Sequence, residues 1–101
     1  MNVSNVIVVD ITPPVAVITS PANGLLGNSK SVKVNVSATD NIGVTQVSIY
    51  IDGILQSTLS AAPYSYNWNT RRLTSGTHII TAKAWDAAGN AGLATPISVI
   101  K

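Results

Sequence analysis

Residues 31–39 alternate without a break. Val32, Val34, Val36 and Ala38 are apolar, and Lys33, Asn35 and Ser37 between them are polar. A period of two puts every second side chain on one face of an extended strand, whereas an amphipathic helix needs apolar residues three and four apart. The pattern recurs along the chain. Val47, Ile49 and Ile51 alternate with Gln46, Ser48 and Tyr50 within 44–51, and Ile80, Ala82 and Ala84 alternate with Thr81, Lys83 and Trp85 within 77–85. Tyr64, Tyr66 and Trp68 form an aromatic face within 64–68. Segments at 15–19, 54–59 and 93–100 bring the set to seven. Composition agrees: Val (12), Ile (11) and Thr (10) supply a third of the 101 residues, while Leu numbers six and Phe and Glu are absent. β-Branched side chains fit a pleated sheet and lose rotamer freedom in a helix. A helical bundle is therefore excluded. Disorder is excluded too, because 46% of residues are hydrophobic and only 10% are charged. No apolar run approaches the ~18 residues of a membrane helix.

Turn chemistry separates the segments. Asp52-Gly53 is the strongest two-residue hairpin signal. Ser20-Pro21-Ala22-Asn23-Gly24, Asp40-Asn41-Ile42-Gly43 and Ala61-Ala62-Pro63 are further breaks, 69–76 is a polar connection, and Asp86–Asn90 is a loop. Seven short strands so spaced predict an all-β sandwich of antiparallel strands. Its core is expected to centre on Trp68, Tyr66, Val34, Val36, Ile49 and Ile80. Pro13-Pro14 and Pro96 are expected to blunt the two exposed sheet edges. There is no cysteine, so no disulfide crosses the sandwich and the Cys…Trp…Cys spacing of antibody domains is missing. A cysteine-free domain of this size points to an intracellular protein or a bacterial exported one.

No basic n-region follows Met1, and the start reads as that of a fragment cut from a longer chain. Val6-Ile7-Val8-Val9-Asp10 resembles Ile97-Ser98-Val99-Ile100-Lys101. Residues 3–10 therefore read either as the last strand of a preceding repeat or as an extra edge strand of this domain. The domain proper is set at 12–101, with 1–11 as a linker or the tail of a preceding repeat.

Several segments taken together resemble a known family. They are Thr12-Pro13-Pro14, Ile18-Thr19-Ser20-Pro21-Ala22-Asn23-Gly24, Ala38-Thr39-Asp40-Asn41-Ile42-Gly43-Val44, Tyr50-Ile51-Asp52-Gly53, Ala62-Pro63-Tyr64-Ser65-Tyr66-Asn67-Trp68, Gly76-Thr77-His78 and Thr81-Ala82-Lys83-Ala84-Trp85-Asp86-Ala87-Ala88-Gly89-Asn90. Their order and spacing resemble the bacterial immunoglobulin-like domains that occur as accessory repeats of exported enzymes and surface proteins. The resemblance implies an immunoglobulin-like β-sandwich of about seven strands. It also implies an extracellular or cell-surface, non-catalytic module in tandem beside a hydrolase or adhesin, and it carries over no catalytic residue.

The side chains offer little chemistry of their own. The net charge of +2 rests on ten groups, and Arg71-Arg72 is the one adjacent basic pair, so a nucleic-acid footprint is not expected. His78 is the single histidine, no nucleophile elbow is present, and a surface imidazole is the expected outcome. Zinc lacks its ligand types: there is one His and no Cys or Glu. All four aspartates lie in or beside turns, where Asp is a common turn former.

Two constellations remain. In a sandwich of this topology the loops at 40–43 and 86–92 share a pole with the start of the first strand. Asp10, Asp40, Asn41, Asp86 and Asn90 could converge there as oxygen ligands of calcium, a hard cation; otherwise these residues are simply turn formers. Tyr50 and Trp85 are expected outward on neighbouring strands, as a small platform for polysaccharide. Alternatively they form a cross-strand pair or pack on an adjacent domain. The expected function is a spacer or structural repeat whose partners are neighbouring domains of the same polypeptide. The alternative is a carbohydrate- or protein-binding module using the Tyr50/Trp85 face or the two loops.

Overall fold

The computed structural model describes residues 10–101. Among these residues nine strands follow in order: β1 (Val15–Ser20), β2 (Leu25–Leu26), β3 (Ser31–Thr39), β4 (Val44–Ile51), β5 (Ile54–Leu59), β6 (Tyr64–Asn69), β7 (Thr77–Asp86), β8 (Ala91–Leu93) and β9 (Ile97–Ile100); the expectation of a strand over residues 3–10 falls almost wholly outside them. They form two facing sheets. One has the order β1-β3-β6; the other runs β2-β9-β7-β4-β5, with β8 also paired to β7. The all-β sandwich expected from the alternation is what the chain builds.

Turn chemistry decides which sheet each strand joins. At the β4–β5 hairpin Asp52 has φ 52° and Gly53 φ 79°. Positive φ at both central residues is the turn whose twist matches antiparallel strands. It keeps β5 beside β4. The Ala61-Ala62-Pro63 break then carries the chain across to β6, which pairs with β3 from Ser31↔Asn69 to Val36↔Tyr64.

The core lies between the sheets. Val34, Val47, Ile49, Ile80, Ala82, Ala84 and Val99 are fully enclosed, and Trp68 is buried among them. The alternating sides of β3, β4 and β7 therefore face as the sequence predicts. Tyr66 differs. It is half-buried against the core, and its hydroxyl donates to Gln56 Oε1 at 3.2 Å. The phenol lies where the sheets' edges meet, so its polar tip can find a partner there. Gln56 is free to turn inward because the β4–β5 register shifts beside it: Ile49 pairs with Ser57 but Tyr50 with Leu55. Ser48, expected outward, is also buried, and its hydroxyl lies 2.9 Å from Thr58 Oγ1.

Seven expected strands become nine for two reasons. Leu25–Leu26 pairs in parallel with Val99–Ile100, inside a stretch read as loop. The last segment is split by Ala94-Thr95-Pro96, where Pro96 brings no N–H to a ladder. The expectation that Pro96 guards a sheet edge is thereby corrected: β2 covers the outer side of β9, and the proline sits in the interruption before it.

This topology gives the molecule two poles. Asp10 and the start of β1, the β3–β4 turn and the β7–β8 loop share one. The β4–β5 hairpin, the β6–β7 loop and Lys101 share the other, where the Gly76 and Lys101 backbones exchange hydrogen bonds at 2.9 Å.

Candidate functional site

The amino-terminal pole gathers Asp10, Asp40 and Asp86, each offering one carboxylate oxygen within 4.8 Å of the others. Local backbone structure positions all three. Asp40 Oδ2 accepts from Ile42 N and Gly43 N, both at 3.1 Å, which closes the β3–β4 turn. Asp86 Oδ1 accepts from Ala88 N at 3.0 Å and Asn90 N at 2.9 Å, folding the β7–β8 loop over it. Asp10 Oδ1 accepts from Thr12 N at 3.0 Å. Asn90 ties the β7–β8 loop to the segment entering β1: its amide donates to Asp86 Oδ2 at 2.9 Å and to the Asp10 carbonyl at 2.8 Å. The hydrogen bonding of the sandwich thus reaches back to Asp10. Asn41 stands exposed on its turn.

The electrostatics of this pole are unbalanced. Asp86 is buried, which by itself would raise its pKa. Hydrogen bonds from the Asn90 side chain, Asp10 and the Asn90 and Ala88 amides outweigh burial and hold it below the usual value. For Asp10 the Thr12 amide favours the carboxylate, yet desolvation and the neighbouring Asp86 and Asp40 charges prevail and raise it. Asp40 Oδ1 is a buried oxygen with no hydrogen-bond partner among the described residues. Buried polar atoms are ordinarily paired.

Tyr50 and Trp85 lie half-buried on the outer face of the β4–β7 pair. The register separates them. Tyr50 stands opposite Thr81, and Trp85 opposite Gln46. Four residues of strand, about 13 Å at ~3.3 Å each, lie between the two rings' positions, so they form neither a cross-strand pair nor a continuous platform. Lys83 lies between them and places its Nζ 5.1 Å from the Trp85 ring centroid, within cation–π range.

His78 is not on the surface. Its ring is buried beneath the β4–β5 hairpin with Nδ1 2.6 Å from Asp52 Oδ2 and Nε2 2.8 Å from the Thr74 carbonyl. It shares a face of β7 with Ile80, Ala82 and Ala84, which is the signal that would have placed it inside. Among the described residues, no serine is a hydrogen-bond partner of the ring. Three surface depressions, of about 350, 420 and 180 Å³, are lined by neither His78 nor any aspartate.

Residues 14–82 match the bacterial Ig domain family. The chain belongs to that family. No curated protein matches it in sequence. Among solved structures it is similar to the fibronectin(III)-like modules of Clostridium thermocellum CbhA, with a TM-score of 0.70 and 29% identity over 88% of this chain and 45% of that one. It is also similar in fold to the endo-beta-1,4-mannanase from Thermotoga petrophila, with a TM-score of 0.70 and 17% identity over 90% of this chain and 20% of that one. The bacterial Ig chain described here thus spans under half of the first chain and a fifth of the second. In both, the matching fold is one part of a longer chain.

Proposed function

We propose that this bacterial Ig domain is a non-catalytic spacer in an exported or cell-surface bacterial protein, holding a hydrolase or adhesin domain at a set distance from its neighbours. The observation that carries the reading is where the described residues enter and leave the sandwich. Asp10 lies at one pole and Lys101 at the other, so the sandwich adds its whole length between whatever it joins. In both solved structures it resembles, the matching region is one part of a longer chain, which supports the same arrangement. Binding to insoluble polysaccharide separates a spacer from a binding module. The domain is expected to stay in the supernatant with cellulose, mannan or chitin, and Trp85→Ala is expected to change nothing. Retention that Trp85→Ala or Tyr50→Ala abolishes would replace the spacer by a carbohydrate-binding module.

The amino-terminal pole favours a second property of the same reading. Three carboxylates, one of them with a buried, unpartnered oxygen, are an all-oxygen donor set of the kind a hard divalent cation takes. Calcium on Asp10, Asp40 and Asp86 would pin the incoming chain to two loops of the sandwich and stiffen the junction with a preceding domain. Asn90 orients Asp86 and the Asp10 backbone for this, while Asn41 is exposed beside the group. Calcium titration with melting as the readout tests it. At a hundred times its dissociation constant a ligand adds about 2.7 kcal/mol of stability. A melting temperature unmoved by millimolar calcium removes the cation from the account and leaves the spacer standing.

A further inference from the structure

The pole around Lys101 contains a buried ionisable group that a spacer's core does not require. His78 sits at the start of β7 with an oxygen acceptor opposite each ring nitrogen: the Asp52 carboxylate at Nδ1 and the Thr74 carbonyl at Nε2. A neutral imidazole has one N–H, so it can satisfy one of these acceptors and must turn a lone pair toward the other. An imidazolium satisfies both. The short contact to Asp52 holds one side of the ring, and Trp68 approaches it in a T-shaped arrangement with ring centroids 6.1 Å apart.

This ring connects otherwise separate pieces. Asp52 belongs to the β4–β5 hairpin and also accepts from Ile79 N through Oδ1 at 2.9 Å, while Asp52 N donates to the Ile79 carbonyl at 2.8 Å. Thr74 belongs to the β6–β7 loop. That loop holds the end of the chain: Gly76 and Lys101 exchange backbone hydrogen bonds, and Lys101 Nζ donates to the Thr70 carbonyl at 3.0 Å. We infer that His78 is held as a doubly protonated ring that clamps the β6–β7 loop and the end of β9 to the β4–β5 hairpin, and that rising pH releases this clamp while the opposite pole stays closed.

The charged groups facing the ring are Asp52 from the hairpin and Lys101 from the end of β9. Asp52 favours the cation and Lys101 opposes it. The hydrogen bonds to Asp52 and Thr74 outweigh burial and the Lys101 charge, so His78 is raised above the ordinary imidazole value. Burial alone would raise Asp52; its bonds to His78 and Ile79 N prevail and lower it. A raised histidine gives stability that is fully present below its unfolded pKa of ~6.5 and is lost as pH climbs through the folded value. The clamp is thus fully closed below pH ~6.5 and opens as pH climbs through the folded value.

Ring-nitrogen NMR of His78 across pH 5–10, with amide hydrogen exchange on the same protein, tests this. The expected titration midpoint lies above ~6.5, with both nitrogens protonated below it. After correction for base-catalysed exchange, opening at Ile79, Gly76 and Lys101 should rise toward tenfold per pH unit between ~6.5 and the folded midpoint. Opening at Ala88 and Asn90, at the far pole, should not. Asp52→Asn should move the midpoint down. A midpoint at or below that of free histidine overturns the inference, as does a neutral ring at pH 6. So does opening at both poles in parallel, which would mean that the whole sandwich, and not a clamp, responds. None of these outcomes bears on polysaccharide binding, so the spacer reading stands or falls separately.

Discussion

At the residue scale, the tightest constraint is where two backbones meet. A Cβ at Gly92 would lie 1.8 Å from the Pro14 carbonyl oxygen and 2.9 Å from its carbon. Neither atom belongs to a flexible side chain, so the start of β1 would have to move. Gly92→Ala should therefore cost about 1–3 kcal/mol, the usual range for overpacking, measured as a lower urea midpoint at unchanged slope. Ile49→Val, at a fully enclosed position, should cost about 1 kcal/mol by deleting one buried methyl group. The amino-terminal pole gives a prediction of opposite sign. Because Asp10 is raised by burial and by its acidic neighbours, its ionisation opposes folding. Its contribution to stability is present at low pH and is lost as pH rises through its folded pKa. Asp10→Asn should therefore raise the melting temperature in calcium-free buffer at pH 7 and remove any response to calcium. A melting temperature lowered by Asp10→Asn in calcium-free buffer would show that the three carboxylates do not strain one another.

At the element scale, strands that carry their own alternation were legible and strands borrowed from their surroundings were not. The limits of β3, β4 and β5 follow from Val/Ile spacing and from Asp52-Gly53. Leu25–Leu26 has no alternation to read: two residues become a strand because β9 lies alongside. Gly24 N donates to the Ser98 carbonyl at 2.7 Å and Gly27 N to the Ile100 carbonyl at 2.8 Å. Asn23 Oδ1 adds acceptor bonds from Ser98 N at 2.8 Å and Ser98 Oγ at 3.1 Å. Asn23→Ala should leave Ser98 N without this partner and cost about 1 kcal/mol, with faster amide exchange confined to residues 24–27 and 98–100. The candidate sites divided in the same way. Convergence of Asp10, Asp40 and Asp86 followed from topology, because loops that share a pole can be counted from strand order. The separation of Tyr50 from Trp85 depended on cross-strand register, which alternation does not specify. His78 was misplaced because a histidine after Gly76-Thr77 reads as loop chemistry, although its parity along β7 pointed inward.

At the scale of the whole molecule, the arrangement of poles gives the fold a mechanical direction. Tension on a chain entering near Asp10 and leaving at Lys101 pulls β2 toward one pole and β9 toward the other. These two strands are parallel, so the load shears all their hydrogen bonds at once instead of opening them one by one. The adjoining β9–β7 ladder, from Thr77↔Ile100 to Ile80↔Ile97, backs β9 from the other side. A spacer needs this resistance; a binding face or a catalytic cleft does not. Single-molecule stretching of the domain, held at its two ends, is the most direct test. The account predicts one cooperative unfolding event at a defined force, weakened by Asn23→Ala and unaffected by Trp85→Ala. Gradual extension with no force peak would contradict it, because a sandwich that peels strand by strand cannot hold its neighbours at a set distance.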